Sequence, residues 1–82
     1  MDQTVAEFQK SATEKVIAKM REYRGRMYAD IRVYYLANIS DDSYAPTNKG
    51  ITIAPDLLDE LAEMIEKLKI AADGDKDDGD SE

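Results

Sequence analysis

The 82-residue sequence contains no cysteine, no histidine and no tryptophan. Without cysteine the chain can form neither a disulfide framework nor a thiolate metal site. Without histidine it lacks the commonest general base and the commonest metal ligand. There is also no nucleophile–base pair and no glycine-rich phosphate loop. The sequence therefore predicts no catalytic residues, no metal, no cofactor and no small-molecule substrate, so we expect a protein that is not an enzyme.

Long apolar segments are also missing. No run approaches the roughly 20 residues of a membrane span, and the start, "MDQTVAEFQK", lacks the basic-then-apolar pattern of a signal peptide. We therefore expect no membrane partner and an intracellular location, in the cytoplasm or nucleoid of a bacterium or the nucleus of a eukaryote. A chain this short buries only about 60% of its unfolded surface. Because disulfides and thiolate metal sites are excluded, dimerisation is the remaining common way to enlarge its core.

Charge is unevenly distributed along the chain. The formal net charge is −7, yet residues 72–82 carry −5 and residues 10–35 carry +4. Aspartates alternate in the tail as in an EF-hand loop, but neither the glycine nor the final glutamate of such a loop is in place. We predict one domain over residues 1–72 and a disordered acidic tail over residues 73–82. The tail either competes for the basic region or only keeps the protein soluble.

A β-hairpin is predicted in the basic region. In "KVIAKMREY" a period of two places four side chains on one face, with only Ile17 interrupting them: Lys15, Lys19, Arg21 and Tyr23. "RG" at Arg24–Gly25 is a tight-turn signal, and "RMYADIRVYYL" has the composition of a second strand. Residues 12–22 also favour a helix by composition, which leaves that alternative open.

The remaining segments predict two further short strands and one helix. "TVAEF" is compatible with a strand, "ANISDDSYAPTN" with a loop, and "KGITIAP" with a strand that Pro55 ends. From Pro55 the pattern is helical, with an apolar stripe made of Leu57, Leu58, Leu61, Met64, Ile65 and Leu68. The fold class is therefore α+β, an antiparallel sheet of three to four strands followed by one C-terminal α-helix. Ribbon-helix-helix DNA-binding proteins begin similarly, but no second helix can follow here.

The stretch "REYRGRMYADIRVYY" holds four arginines and four tyrosines in fifteen residues. One explanation is a half-solvated sheet with cross-strand pairs, among them an ion pair of Asp30 with Arg32. The other is a surface whose cations bind phosphates and whose rings stack on bases. The exposed turn and the preference for arginine over lysine favour the second. A protein–protein interaction module, using the helix stripe and the tyrosine-rich strand, is the alternative function.

At this point the sequence resembles a known family, the core domain of transcriptional positive cofactor four, from about Phe8 to Ile70. "REYRGRMYADIRVYYL" is similar to the family's basic–aromatic–basic turn with its Asp-Ile-Arg strand. "NKGITIAP" resembles its Lys-Gly-Ile strand, and the helix from Pro55 resembles its C-terminal helix. The Ser- and Lys-rich extension of eukaryotic members is absent, so the resemblance implies a compact bacterial or phage-type member.

The resemblance implies a curved four-stranded sheet, order β-β-β-β-α, in a dimer that pairs through its helices. It also implies binding of single-stranded or melted DNA, although RNA would suit the same contacts. With Lys19 from the strand pattern, the predicted nucleic-acid-binding residues are Lys19, Arg21, Tyr23, Arg24, Arg26, Arg32, Tyr35 and Lys49. The helix stripe is the predicted dimer interface.

Two positions depart from the family pattern. Tyr35 stands where tryptophan is frequent. Asn48 replaces a second cation, so we expect one phosphate contact fewer. Strict alternation also places Arg32 and Tyr35 on opposite faces of their strand. Either a bulge turns Tyr35 towards DNA, or Tyr35 belongs to the dimer interface.

Overall fold

The computed structural model describes residues 2–78 of the chain, with side chains described through Gly74. Its elements are four strands, two short 3₁₀ turns and one helix. In chain order they are β1 (Gln3–Ser11), β2 (Glu14–Tyr23), β3 (Arg26–Asn38), a 3₁₀ turn (Ile39–Asp41), β4 (Ser43–Ile53), a 3₁₀ turn (Pro55–Leu57) and α1 (Leu58–Asp78). The strands form one antiparallel sheet in the order β1-β2-β3-β4. The predicted α+β class is confirmed, and residues 14–23 form a strand and not a helix.

The hairpin between β2 and β3 has the tight turn that the sequence predicts. Tyr23 pairs with Arg26, and the two residues between them have positive φ angles, 53° for Arg24 and 80° for Gly25. Two consecutive residues in this region form the turn whose twist matches that of the flanking strands. The arginine side chains on either side of Gly25 are therefore carried at the exposed tip of the hairpin.

The loop predicted over residues 37–48 is wrong for its second half, because β4 begins at Ser43. Ser43 to Pro46 pair with the end of β3, which extends to Asn38. Pro46 is tolerated because β4 is an edge strand, where one side of the backbone forms no ladder. The β1 strand is likewise longer than the predicted "TVAEF". Both strands owe their length to pairing with a long neighbour, which a local pattern does not show.

An irregularity interrupts the β3–β4 ladder. Arg32 pairs with Gly50 and Tyr34 with Pro46, so residues 47–49 lie opposite Val33 alone. Thr47 stabilises this bulge because its Oγ1 donates to the Val33 carbonyl at 2.7 Å and accepts from the Lys49 amide at 3.1 Å. Extra residues in one strand bend it locally, which changes the direction in which the following side chains point.

The register gives the sheet two chemically different faces. We call one the basic face; on β2 and β3 it consists of Lys15, Ile17, Lys19, Arg21, Tyr23, Arg26, Tyr28, Asp30, Arg32 and Tyr34. The opposite face, which we call the apolar face, consists on the same strands of Val16, Ala18, Met20, Met27, Ala29, Ile31, Val33 and Tyr35, together with Glu14 and Glu22. The most buried side chains are Ile17, Ala29, Asp30 and Tyr34. Three of these four belong to the basic face, so the chain's own side chains cover the middle of that face.

Much of the apolar surface is left uncovered by the chain itself. On the sheet, Phe8, Met27 and Ile51 are between 43% and 63% exposed. On the helix, Met64 and Leu68 are 60% and 63% exposed. The helix extends to Asp78, past the boundary predicted at Ala72, while residues 79–82 of the predicted tail lie outside the described residues. Disorder of the tail therefore stays a prediction.

Candidate nucleic-acid interface

Five of the predicted binding residues come together on the basic face. Lys19, Arg21 and Tyr23 follow one another at alternate positions of β2, and Arg26 and Arg32 lie on the same side of β3. Arg24 is at the hairpin tip, with its guanidinium carbon 5.3 Å from the centre of the Tyr23 ring. Tyr23 itself is 61% exposed. An exposed ring beside three cations can stack on a base while its neighbours contact phosphates.

Two predicted residues are not part of this group. Tyr35 pairs with Glu14 and Ala45, which places it on the apolar face, and no bulge in the β2–β3 register turns it back. Lys49 is exposed in the bulge of β4. The pKa of Glu14 is lowered mainly by its hydrogen bond from Lys10 and by the charge of Lys10, and least by the charge of Lys49. The binding roles of Tyr35 and Lys49, like those of the other predicted residues, stay predictions.

Arg32 is held by groups of the protein itself. Its Nε and Nη2 donate to the two carboxylate oxygens of Asp30 at 3.2 and 2.8 Å. Its Nη1 donates to the carbonyl of Thr47 at 3.0 Å, and Thr52 Oγ1 donates to Asp30 at 2.6 Å. The ion pair predicted between Asp30 and Arg32 is confirmed, and it also ties β3 to the bulge of β4. Only 18% of the Arg32 side chain is exposed.

This network lowers the pKa of Asp30. The side-chain hydrogen bond from Arg32 is the largest cause, and burial opposes it. The same bond raises the pKa of Arg32. With 1% of its side chain exposed, Asp30 is a buried carboxylate that stays ionised at neutral pH. Its hydrogen bonds to Arg32 on β3 and Thr52 on β4 tie these two strands together.

Three tyrosines that the predicted set omits also lie on the basic face. Tyr28 pairs with Arg21, and Tyr34 pairs with Lys15. Tyr44 pairs with Leu36, two positions from Tyr34. Lysine side chains lie over two of these rings, Lys15 over Tyr44 at 4.6 Å and Lys19 over Tyr34 at 5.0 Å. The sequence contained a signal for Tyr28 and Tyr34. Successive side chains of a strand point to opposite faces, so residues 28, 30, 32 and 34 of β3 share one face.

Two open clefts run along the basic face. One, of about 490 Å³, is lined by Arg21, Glu22, Tyr23, Tyr28 and Thr52. The other, of about 530 Å³, is lined by Asp2, Lys19, Arg21, Arg32, Tyr34, Tyr44, Pro46, Thr47 and Asn48. Arg21 lines both, so the clefts are neighbours on one surface. Together the two clefts carry tyrosine rings and more cations than anions, which suits a polyanion that also carries flat rings.

Comparison with known proteins agrees with this arrangement. The family model described as Transcriptional Coactivator p15 (PC4) matches residues 10–64. The chain belongs to the PC4 family. A PC4 homologue from Burkholderia pseudomallei, solved in two crystal forms, is 38% and 40% identical, with a TM-score of 0.68 for each. The alignments cover 88% and 85% of this chain and 98% and 88% of the homologue.

A phage protein shares the fold at lower identity. The bacteriophage T5 homologue of PC4, described as implicated in recombination-dependent DNA replication, is 24% identical with a TM-score of 0.58, covering 90% of this chain and 81% of its own. None of the curated proteins compared matches the chain. The expected relationship to a compact bacterial or phage-type PC4 member is thus confirmed. Within residues 2–78 no helix is both long enough and apolar enough to cross a bilayer.

Proposed function

We propose that this PC4-family protein is a non-enzymatic homodimer that binds single-stranded DNA inside the cell, largely without regard to sequence. Family membership supports a DNA-binding role in transcription or replication. The observation that carries the proposal is the pair of neighbouring clefts on the basic face, which share Arg21. A single strand exposes both phosphates and unpaired bases, and this face offers cations and tyrosine rings to both.

The cations and rings have separate tasks in this proposal. Lys19, Arg21, Arg24 and Arg26 neutralise phosphates, which releases counterions and makes binding depend on salt. Tyr23 stacks on a base, a contact that tolerates any sequence because every base has a flat face. Arg32 serves mainly to hold the sheet and the bulge, since three of its nitrogens donate within the protein.

Dimerisation would cover the apolar surface that one chain leaves exposed. Three side chains of the helix stripe are between 45% and 63% exposed within one chain, namely Met64, Ile65 and Leu68. Burying a side chain of this kind contributes roughly 1.5–3 kcal/mol, so several of them favour association strongly. We propose that a second copy of the chain covers this helix surface, because the basic face of each chain would then remain free for DNA. The protein–protein alternative requires an unrelated partner for the same surface.

Fluorescence anisotropy with labelled oligo-dT, oligo-U of equal length and blunt duplex tests the binding proposal. We expect oligo-dT to bind more tightly than duplex, with affinity falling between about 50 and about 200 mM salt at roughly 0.7 log units per log unit of salt for each phosphate neutralised. The oligo-U measurement decides between DNA and RNA. Equal binding of single strand and duplex, or no binding at low salt, contradicts the proposal.

A further inference from the structure

The cleft at the hairpin end of the basic face is lined by two tyrosine rings. This cleft, of about 490 Å³, is lined by Tyr23 and Tyr28 with Arg21 beside them. Its volume is within the range of about 300–1,000 Å³ that small-molecule sites have in proteins. Tyr28 is half-buried, so the strand holds the ring in place while part of it stays accessible.

The tyrosines of the basic face differ in what covers their rings. Tyr34 and Tyr44 have lysine nitrogens at 5.0 and 4.6 Å, and Tyr23 has the Arg24 guanidinium at 5.3 Å. Tyr34 is only 8% exposed. Among the residues whose side chains are described, no cation lies over the ring of Tyr28. A base can therefore stack on Tyr28 without first displacing a charged group.

The spacing of the two rings suits a flat ligand. Tyr28 pairs with Arg21 and Tyr23 pairs with Arg26, so the tyrosines are diagonal neighbours on one face, an arrangement whose typical spacing is about 7–8 Å. Because side chains stand nearly perpendicular to a sheet, the spacing of the two rings is similar to that of their attachment points on the backbone. Two stacked contacts of about 3.5–4.0 Å each fill the same distance. A spacing of this size would accommodate one planar ring between Tyr23 and Tyr28.

We propose that one nucleobase of the bound single strand inserts between Tyr23 and Tyr28, with Arg21 next to its phosphate. This inference rests on the proposed function and adds a base subsite to it. Thr52 also lines the cleft, but its hydroxyl donates to Asp30 at 2.6 Å. Recognition therefore depends on the flat face of the base and not on its hydrogen-bonding edge, so the subsite accepts any of the four bases.

A single-tryptophan experiment tests the insertion directly. The chain has no tryptophan, so Tyr28→Trp introduces one fluorophore in the cleft. Ile39→Trp introduces one in the 3₁₀ turn that follows the far end of β3, where Ile39 is 81% exposed. Both variants are titrated with oligo-dT while a label on the oligonucleotide reports binding. We expect quenching of Tyr28→Trp on saturation and unchanged emission from Ile39→Trp. Binding that leaves the Tyr28→Trp emission unchanged overturns the subsite, while absence of binding by wild type overturns the proposed function itself.

Affinity measurements on Tyr28→Leu and Tyr28→Phe complete the test. Losing one base–aromatic stack should weaken oligo-dT binding by Tyr28→Leu about 5- to 150-fold, whereas Tyr28→Phe keeps the ring and should bind like wild type. On an abasic oligomer of equal length, wild type and Tyr28→Leu should bind equally, because no base is available to stack. An equal loss by Tyr28→Leu on both oligomers would indicate a structural defect and overturn the subsite.

Discussion

The cations of the basic face differ in how firmly other groups of the protein hold them. Arg32 forms three hydrogen bonds to Asp30 and Thr47, whereas Arg21 is half-exposed and makes a looser ion pair with Asp2 at 3.4 Å. A charge fixed by protein groups contributes to the fold, and one held loosely at the surface is available to a phosphate. Residue type alone does not separate these roles.

Single substitutions should separate the contributions of base stacking and of charge to oligo-dT affinity. Tyr23→Ala should cost about 1–3 kcal/mol of oligo-dT affinity and leave the salt slope unchanged, since no phosphate contact is lost. Arg26→Ala should instead flatten the slope by about 0.7. Anisotropy at a series of salt concentrations measures both. Lys67→Ala is the matched control, because its cation is on the helix and 76% exposed. Wild-type affinity in Tyr23→Ala would refute the stacking role.

Asp30 should make stability depend on acid pH. Its pKa is lowered in the folded protein, chiefly by the hydrogen bond from Arg32. Its contribution is therefore complete above the pKa of the unfolded carboxyl, about 3.9, and is lost as pH falls through the lower folded pKa. At pH 7, Asp30→Asn should reduce the free energy of unfolding by about 3–5 kcal/mol, because it leaves Arg32 without its counter-ion.

Urea unfolding at fixed protein concentration, from neutral to acid pH, checks this expectation. The gap between wild type and Asp30→Asn should narrow as the wild-type carboxylate is protonated. Asp42→Asn, at an exposed position, should stay close to wild type at every pH. A constant gap across the whole range would show that the ion pair does not titrate as argued.

At the scale of elements, the β3–β4 contact depends on Gly50. A Cβ at this position would lie 2.6 Å from the carbonyl oxygen of Ile31 and 2.9 Å from the Cα of Arg32. Both are backbone atoms, so they cannot move away as a flexible side chain would. The close approach keeps the strands paired directly beside the bulge that carries Lys49.

Gly50→Ala should therefore destabilise the protein by about 1–3 kcal/mol, the usual cost of overpacking. Gly74→Ala is the control, since a Cβ there meets nothing within 4 Å and alanine favours a helix. Thermal unfolding of both variants at equal concentration measures the difference. Wild-type stability in Gly50→Ala would mean that β4 shifts freely and that its register does not depend on this contact.

The whole molecule is thin, with principal extents of 45 × 38 × 18 Å, and it exposes apolar side chains on both sheet and helix. Its charge is also unevenly distributed: the chain has a net charge of −7, yet cations are concentrated on one face of the sheet. Net charge alone would have argued against a nucleic-acid partner, whereas the distribution of the charges supports one.

Leu68→Asp should dissociate the proposed dimer while leaving each chain folded, because Leu68 is 63% exposed within one chain. Ile70→Asp is the matched control: Ile70 is 71% exposed, but the helical period places it opposite the stripe. Sedimentation at micromolar concentration should give a monomer for the first variant and a dimer for the second. A wild-type chain that sediments as a stable folded monomer contradicts the homodimer.

The sequence by itself determined the features that depend on neighbouring residues. A period of two placed Lys19, Arg21 and Tyr23 on one face, because successive side chains of a strand alternate. The glycine turn set the hairpin register. In the same way, the spacing of Asp30 and Arg32 predicted their ion pair, and the helical period predicted the stripe from Leu57 to Leu68.

Only the tertiary structure decided what depends on residues far apart in the chain. The start of β4 at Ser43 follows from pairing with the far end of β3, and the bulge of residues 47–49 follows from the Thr47–Val33 bond. That bulge brings the Thr47 carbonyl to Arg32, so a residue predicted to bind phosphate also has a structural role that its sequence position did not show. The cleft beside Tyr28 likewise requires three strands in register. Such contacts form between chain segments with no local pattern in common, so their geometry appears only when the sheet is assembled.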